Sequence, residues 1–209
     1  MFEFITASDE NAISIIKADH EKVKDLFDRF KEAKSLAAKK KIAAEAIMEL
    51  KIHATIEEEL FYPAVRKAIG KKVMNEADEE HHVAKVLIAE LETMTGKEDH
   101  YEAKFTVLAE NVRHHIKEEE SDMLPKARSL SVNMETLGQK ILVRKQQLMK
   151  NGVAIFAEEK MVGRRKKRDD SPARAAHKTK SSIKRVPKIA MKHIPKHLAK
   201  RAMRDSYAP

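Results

Sequence analysis

Between Asn11 and Lys150 the apolar residues return every three or four positions, in four long runs and one shorter one, and that period fits only helices. The first run spans about Asn11 to Lys34, with Ile13, Ile16, Val23, Phe27 and Phe30 on one stripe. The second, about Ala38 to Ile69, aligns Ile42, Ala46, Leu50, Ile56, Leu60 and Ala64, with Gly70 as a C-terminal stop and Pro63 expected to kink or loosen its last turns. The third, about Val73 to Thr95, carries Met74, Ala77, Ala84, Leu87, Ile88 and Leu91, with Gly96 after it. The fourth, about Glu98 to Ala127, carries Tyr101, Phe105, Leu108 and Val112. Short connections make successive helices antiparallel neighbours, so the expected fold is all-α, an up-down-up-down four-helix bundle. A weaker fifth helix, about Asn133 to Lys150 with Leu137, Ile141 and Leu148, is expected to pack on the end of the bundle.

Composition supports this and narrows the chemistry. Five Gly and six Pro in 209 residues are too few for the turns of a β-sandwich. The absence of Cys excludes disulfides, thiolate zinc sites, iron-sulfur clusters and a thiol nucleophile, so any metal must sit on His and carboxylates. Met1–Glu10 shows no basic stretch followed by an apolar core, and no run of about 18 apolar residues occurs, so the expected compartment is the cytoplasm.

The apolar stripes are interrupted by ionisable residues that face the same way. His20 lies between Ile16 and Val23, and His53 between Leu50 and Ile56, with Glu57 one turn beyond it. His81 shares a face with Ala84, Leu87, Ile88 and Leu91, whereas its neighbour His82 has Lys85 at three residues. His115 follows Val112 by three and Leu108 by seven, with Glu119 four beyond, whereas His114 aligns with Asn111 and Glu118. A repeat selects the same residues. The pattern H-x3-E-E-x4-P runs from His53 to Pro63 and again from His115 to Pro125, and His20 precedes His53 by 33 residues as His81 precedes His115 by 34. The bundle therefore reads as two similar helix pairs, each supplying two His and one Glu.

A single inward imidazole is ordinarily a hydrogen-bonded core residue. Four imidazoles and two carboxylates are different, because burying them uncompensated costs several kcal/mol per ionised group, on the order given by desolvation. A multivalent cation removes that cost. Nitrogen and oxygen donors without sulfur suit iron or manganese, with zinc as a common contaminant. Asp78, three before His81, is a further candidate donor against its reading as a solvated acid, and Glu58 and Glu120 are candidates to support the ligands or join them. Tyr62, five after Glu57, falls off the ligand face and reads as packing; His82, His100 and His114 read as solvent-facing.

On the elements Asp19-His20-Glu21, His53-Ala54-Thr55-Ile56-Glu57-Glu58, Glu80-His81-His82 and His115-Ile116-Lys117-Glu118-Glu119-Glu120, the stretch from about Asn11 to Leu130 resembles the hemerythrin-like, or HHE cation-binding, proteins. The resemblance implies a non-haem di-iron site: two iron ions per chain bridged by Glu57 and Glu119, with His20, His53, His81 and His115 as terminal ligands and manganese or zinc as substitutes. Oxygen-carrying hemerythrins have a fifth His one turn away on the third helix. Here Ala77 and Lys85 occupy those positions, which points away from reversible oxygen carriage. The implied function is to sense or bind oxygen, peroxide or nitric oxide, or to buffer iron. The alternatives are an enzyme turning over peroxide or nitric oxide, and a polyanion-binding module with a vestigial metal site.

The formal charge of +9 is divided unevenly. Residues 151–209 hold 17 Lys+Arg and five acidic residues, a net of +12, leaving −3 for 1–150. Arg164-Arg165-Lys166-Lys167-Arg168 is a block of five, and basic residues recur from Lys184 to Arg204. With Phe156 and Tyr207 as its aromatics, this segment has too little apolar surface to offset the entropy of folding. The expected organisation is a bundle over 1–130, an accessory helix over 131–150 and a flexible basic tail over 151–209, the tail binding nucleic acid or an anionic membrane surface through phosphates.

Overall fold

The computed structural model describes residues 11–169, with side chains to Gly163. Helix α1 (Ala12–Glu32) starts where Asn11 Oδ1 accepts from the backbone N–H groups of Ile13 and Ser14 at 3.0 and 3.1 Å, a cap worth about 1 kcal/mol. Ser35 caps α2 (Leu36–Ile56) in the same way. A π-helical turn, Glu57–Phe61, then leads without a break into α3 (Tyr62–Ile69). Gly70, at φ 99°, turns the chain directly into α4 (Lys71–Glu92). Helix α5 (Tyr101–Glu118) likewise passes through a π-helical turn, Glu119–Met123, into α6 (Leu124–Arg128). Helix α7 (Met134–Asn151) is capped by Asn133, and α8 (Ala157–Asp169) follows. The pairs α1–α2 and α4–α5 pack together as an all-α bundle, and the described residues contain no strand.

The two π-helical turns change which residues point inward. A π turn holds one residue more than an α turn, so everything after it is rotated by about 100°. The stripe extended from Leu50 by α-helical steps places Leu60 and Ala64 inside. In the structure Leu60 is half-buried and Ala64 exposed, while Phe61 and Val65, each one position later, are fully buried. The expected loosening near Pro63 takes this form: Tyr62 N–H donates to Glu57 O, five residues back, and Pro63 enters the next α segment at its start, where its missing N–H costs little. Pro125 repeats the arrangement after Glu119.

The core divides into two apolar clusters. One joins Ile13, Ile16, Ile56, Phe61, Met74 and Met123. The other joins Val23, Phe27, Phe30, Ile88, Phe105 and Leu108, with Phe30 and Phe105 stacked at 4.0 Å between centroids. His20 lies between Ile16 of the first and Val23 of the second, so the ionisable layer sits where the clusters meet. Helix α7 does not simply cover the end of the bundle. It packs alongside α1 and α2, burying Leu137, Ile141 and Leu148, and Arg144 and Lys145 reach Glu59 and Asp19.

Composition places the start of the flexible tail at residue 151, and α8 corrects this. Phe156 N–H donates to Glu159 Oε1 at 3.1 Å, half of a capping box. Glu159 pairs with buried Lys51 at 2.8 Å and Glu158 with His82 at 2.9 Å, while the Phe156 ring lies under Lys51 and Lys85. A few specific contacts outweigh a polar composition here. Most of the basic tail, 170–209, lies outside the described residues. Among the described residues no helix is long and apolar enough to cross a membrane.

Candidate metal centre

All six inward residues expected from the sequence meet in one buried layer, none more than 6% exposed. Each histidine turns Nε2 to the centre. His20 Nε2 is 3.1 Å from Glu119 Oε2, and His53 Nε2 is 3.2 Å from Glu57 Oε1. On the other side, His81 Nε2 is 3.3 Å from Glu57 Oε2, His115 Nε2 is 4.0 Å from Glu119 Oε2, and the two Nε2 atoms are 3.2 Å apart. Two overlapping donor groups result. His20, His53, Glu57 and Glu119 form one, Glu57, His81 and His115 the other, each with its donor atoms within 4.8 Å of one another.

The outward nitrogens are also organised. His20 Nδ1 meets Glu120 and His81 Nδ1 meets Glu58, both at 2.9 Å. His115 Nδ1 meets Glu80 at 2.8 Å, and His53 Nδ1 has Asp19 at 3.7 Å, beyond hydrogen-bond length. A carboxylate on Nδ1 fixes the tautomer that presents Nε2 as a donor to a metal. Glu58 and Glu120 thus support the ring nitrogens. Asp78 does not join the layer; it forms an exposed bidentate pair with Arg66 at 2.7 and 2.9 Å.

Tyr62 is the residue that the helical wheel misplaces. Its hydroxyl lies 3.2 Å from His81 Nε2, 3.4 Å from His115 Nε2 and 3.5 Å from Glu57 Oε2. The π turn brings residue i+5 over residue i, so Tyr62 stands above Glu57 and adds an oxygen donor to the His81–His115 side. The prolines ten residues after His53 and His115 are the signal available in sequence, since both follow a π turn. In the second repeat the same position is Leu124, which offers no donor.

Electrostatics and satisfaction both ask for a cation. Burial pushes the His53 imidazole down to about 4, Asp19 opposing it only in part. Burial and then the charge of Glu119 raise Glu57 well above the ordinary carboxylate range, whereas in Glu119 burial is outweighed by His20 and the surrounding imidazoles and its value falls. In His20 burial is likewise outweighed, by Glu119 above all, and the imidazole is raised. Nε2 of His20 and of His53, Oε1 of Glu57 and both oxygens of Glu119 are buried without a hydrogen-bond partner. Each such group costs about 1–3 kcal/mol, more when charged, and a metal ion among them removes the cost by ligation. The donor set fits a transition metal.

A helical bundle with an inward His/Glu layer of this kind defines a cation-binding bundle, and the sequence profile of the hemerythrin HHE cation binding domain matches residues 11–127. The chain belongs to that family. It is 30% identical over 142 residues to an uncharacterised protein, Rv2633c, of Mycobacterium tuberculosis, covering 66% of this chain and 87% of that one. A crystal structure of a hemerythrin HHE cation binding domain-containing protein from Mycobacterium kansasii, a homolog of Rv2633c, superposes with a TM-score of 0.58 at 28% identity, covering 68% of this chain and 94% of that one. A DNA nickase of Nostoc is 26% identical over 121 residues; the match takes in 58% of this chain but only 34% of that protein.

Proposed function

We propose that the chain is a non-haem di-iron protein that binds a small ligand, oxygen, peroxide or nitric oxide, and senses it. The supporting observation is a pocket of about 30 Å³ between α2, α4 and α5, next to His53, His81 and His115, with apolar walls from Leu50, Ile88, Val112 and Phe156 and with Glu80, Lys85 and Asn111 also in its lining. That volume suits one water or a diatomic molecule. Bound iron would supply a redox change and an open coordination position. His20, His53, His81 and His115 would hold it by Nε2, together with the carboxylates of Glu57 and Glu119. The Tyr62 hydroxyl favours ferric iron among the metals these donors accept, since a phenol oxygen is a hard donor.

Tyr62 also supports an enzymatic reading, because a buried phenol beside the ligands can pass a proton or an electron during turnover of peroxide. Graded addition of peroxide to iron-loaded protein separates the two. A sensor consumes about one equivalent per centre and stops; consumption over many turnovers, lost in His81→Ala, would establish the enzyme instead. The basic tail we read as a contact for polyanions, nucleic acid first. Log affinity for duplex DNA should then fall linearly with log salt by about 0.9 per phosphate neutralised, and truncation after Asp169 should abolish it.

A further inference from the structure

Three of the four histidine–carboxylate pairs end on a lysine. Glu58, on His81, is met by Lys85 at 2.5 Å, and Glu120, on His20, by Lys24 at 3.5 Å. These lysines each lie four residues after the histidine of their own helix. Asp19, beside His53, is met by Lys145 of α7. The fourth carboxylate, Glu80 on His115, has no Lys or Arg partner among the described residues. Its second oxygen faces His114 Nε2 at 3.6 Å, and that nitrogen lies 3.2 Å from Glu118 Oε1. One imidazole nitrogen and two carboxylate oxygens thus fall within 4.8 Å of one another at the surface between α4 and α5.

A crevice of about 20 Å³ shares Glu80 and Glu118 with this cluster and is lined also by Glu76, His115, Glu119 and Met123. Glu119, which also lines it, is 2% exposed, and its Oε1 has no hydrogen-bond partner. Elsewhere around the centre carboxylates are neutralised by lysine or arginine; here Glu76, Glu80 and Glu118 are not, among the described residues, and they concentrate negative potential at one opening.

We propose that Glu80, His114 and Glu118 form an outer site for a divalent first-row cation, ferrous iron in the cell, which takes the place that lysine fills on the other three pairs and loads the inner centre through this crevice. The loading role rests on the di-iron reading; the outer site itself does not. Both are tested on the full-length chain. Anaerobic stopped-flow addition of Fe²⁺ to metal-free protein should show His114→Ala/Glu118→Gln loading slower by roughly tenfold or more, the scale of electrostatic focusing, with about two ions still retained after desalting. Equilibrium dialysis of loaded protein against Zn²⁺ should show one further, weaker ion in wild type and none in the variant. His114→Lys, which supplies the missing ammonium, should behave like the double variant; if it loads as fast as wild type, His114 is only a counter-charge and the proposal fails. Absence of the further Zn²⁺ in wild type overturns the outer site. Equal loading rates overturn the loading role, and a wild-type chain retaining no inner ions overturns the di-iron reading and the loading role with it.

Discussion

The two helix pairs of the bundle are near copies that differ at a few places around the shared centre. His20 and His53 correspond to His81 and His115, Glu57 to Glu119, Glu58 to Glu120, and Lys24 to Lys85. Each pair has its own π turn. The differences are Tyr62 against Leu124, and a lysine on Asp19 against His114 on Glu80. The duplicated part builds two overlapping donor groups in one buried layer, and the departures make its two ends chemically unequal. One end has imidazoles and carboxylates alone; the other adds a phenol oxygen and the small pocket.

The largest expected effect is that of pH on the two histidines of the first helix pair. In metal-free protein His53, lowered to about 4, and His20, raised, should titrate on opposite sides of 6.5 in an NMR histidine titration. A depressed histidine contributes stability above its unfolded value of 6.5 that is lost as pH falls through about 4, on the order of 3 kcal/mol for a shift of this size. Glu57, raised, works in the opposite sense, so urea unfolding of metal-free Glu57→Gln between pH 6.5 and 4 isolates the His53 slope. Overlapping titrations of His20 and His53 would contradict the burial that lowers His53 and the Glu119 contact that raises His20.

A smaller effect sharpens the symmetry. Glu58→Gln and Glu120→Gln each remove the carboxylate from one Nδ1, and each should weaken metal affinity by about 10–100-fold, to similar extents if the halves are equivalent. Competition with a chelator measures it. Smallest is the effect on stability of Tyr62→Phe and Leu124→Met, under about 1.5 kcal/mol each because volume is nearly kept. Of the two, Tyr62→Phe alone should alter the visible absorption of iron-loaded protein; identical spectra would place the phenol outside the metal's reach.

The six inward residues were legible because up to Glu57 and Glu119 the helices are regular, so a wheel assigns faces correctly. Past those points it fails by one residue, which is why Phe61 and Val65 replace Leu60 and Ala64 inside and why Tyr62 reads as packing. Asp19 and Glu80 stand next to the inward histidines His20 and His81 in sequence, yet their contacts are with histidines of the neighbouring helix. Such contacts depend on how the helices are set against one another, which no single-helix pattern contains. Helix α8 escaped because its hold on the bundle comes from Phe156, Glu158 and Glu159, too few residues to alter the composition of a segment of net charge +12.

If the two halves share one di-iron centre as proposed, Glu57 and Glu119 serve both ions. Elemental analysis of full-length protein from an iron-replete host, beside Glu57→Ala and Glu119→Ala, tests it most directly. About two iron ions per wild-type chain and fewer than about one in either variant are expected, since a bridging ligand holds both ions at once. One ion per chain that survives both substitutions would contradict it.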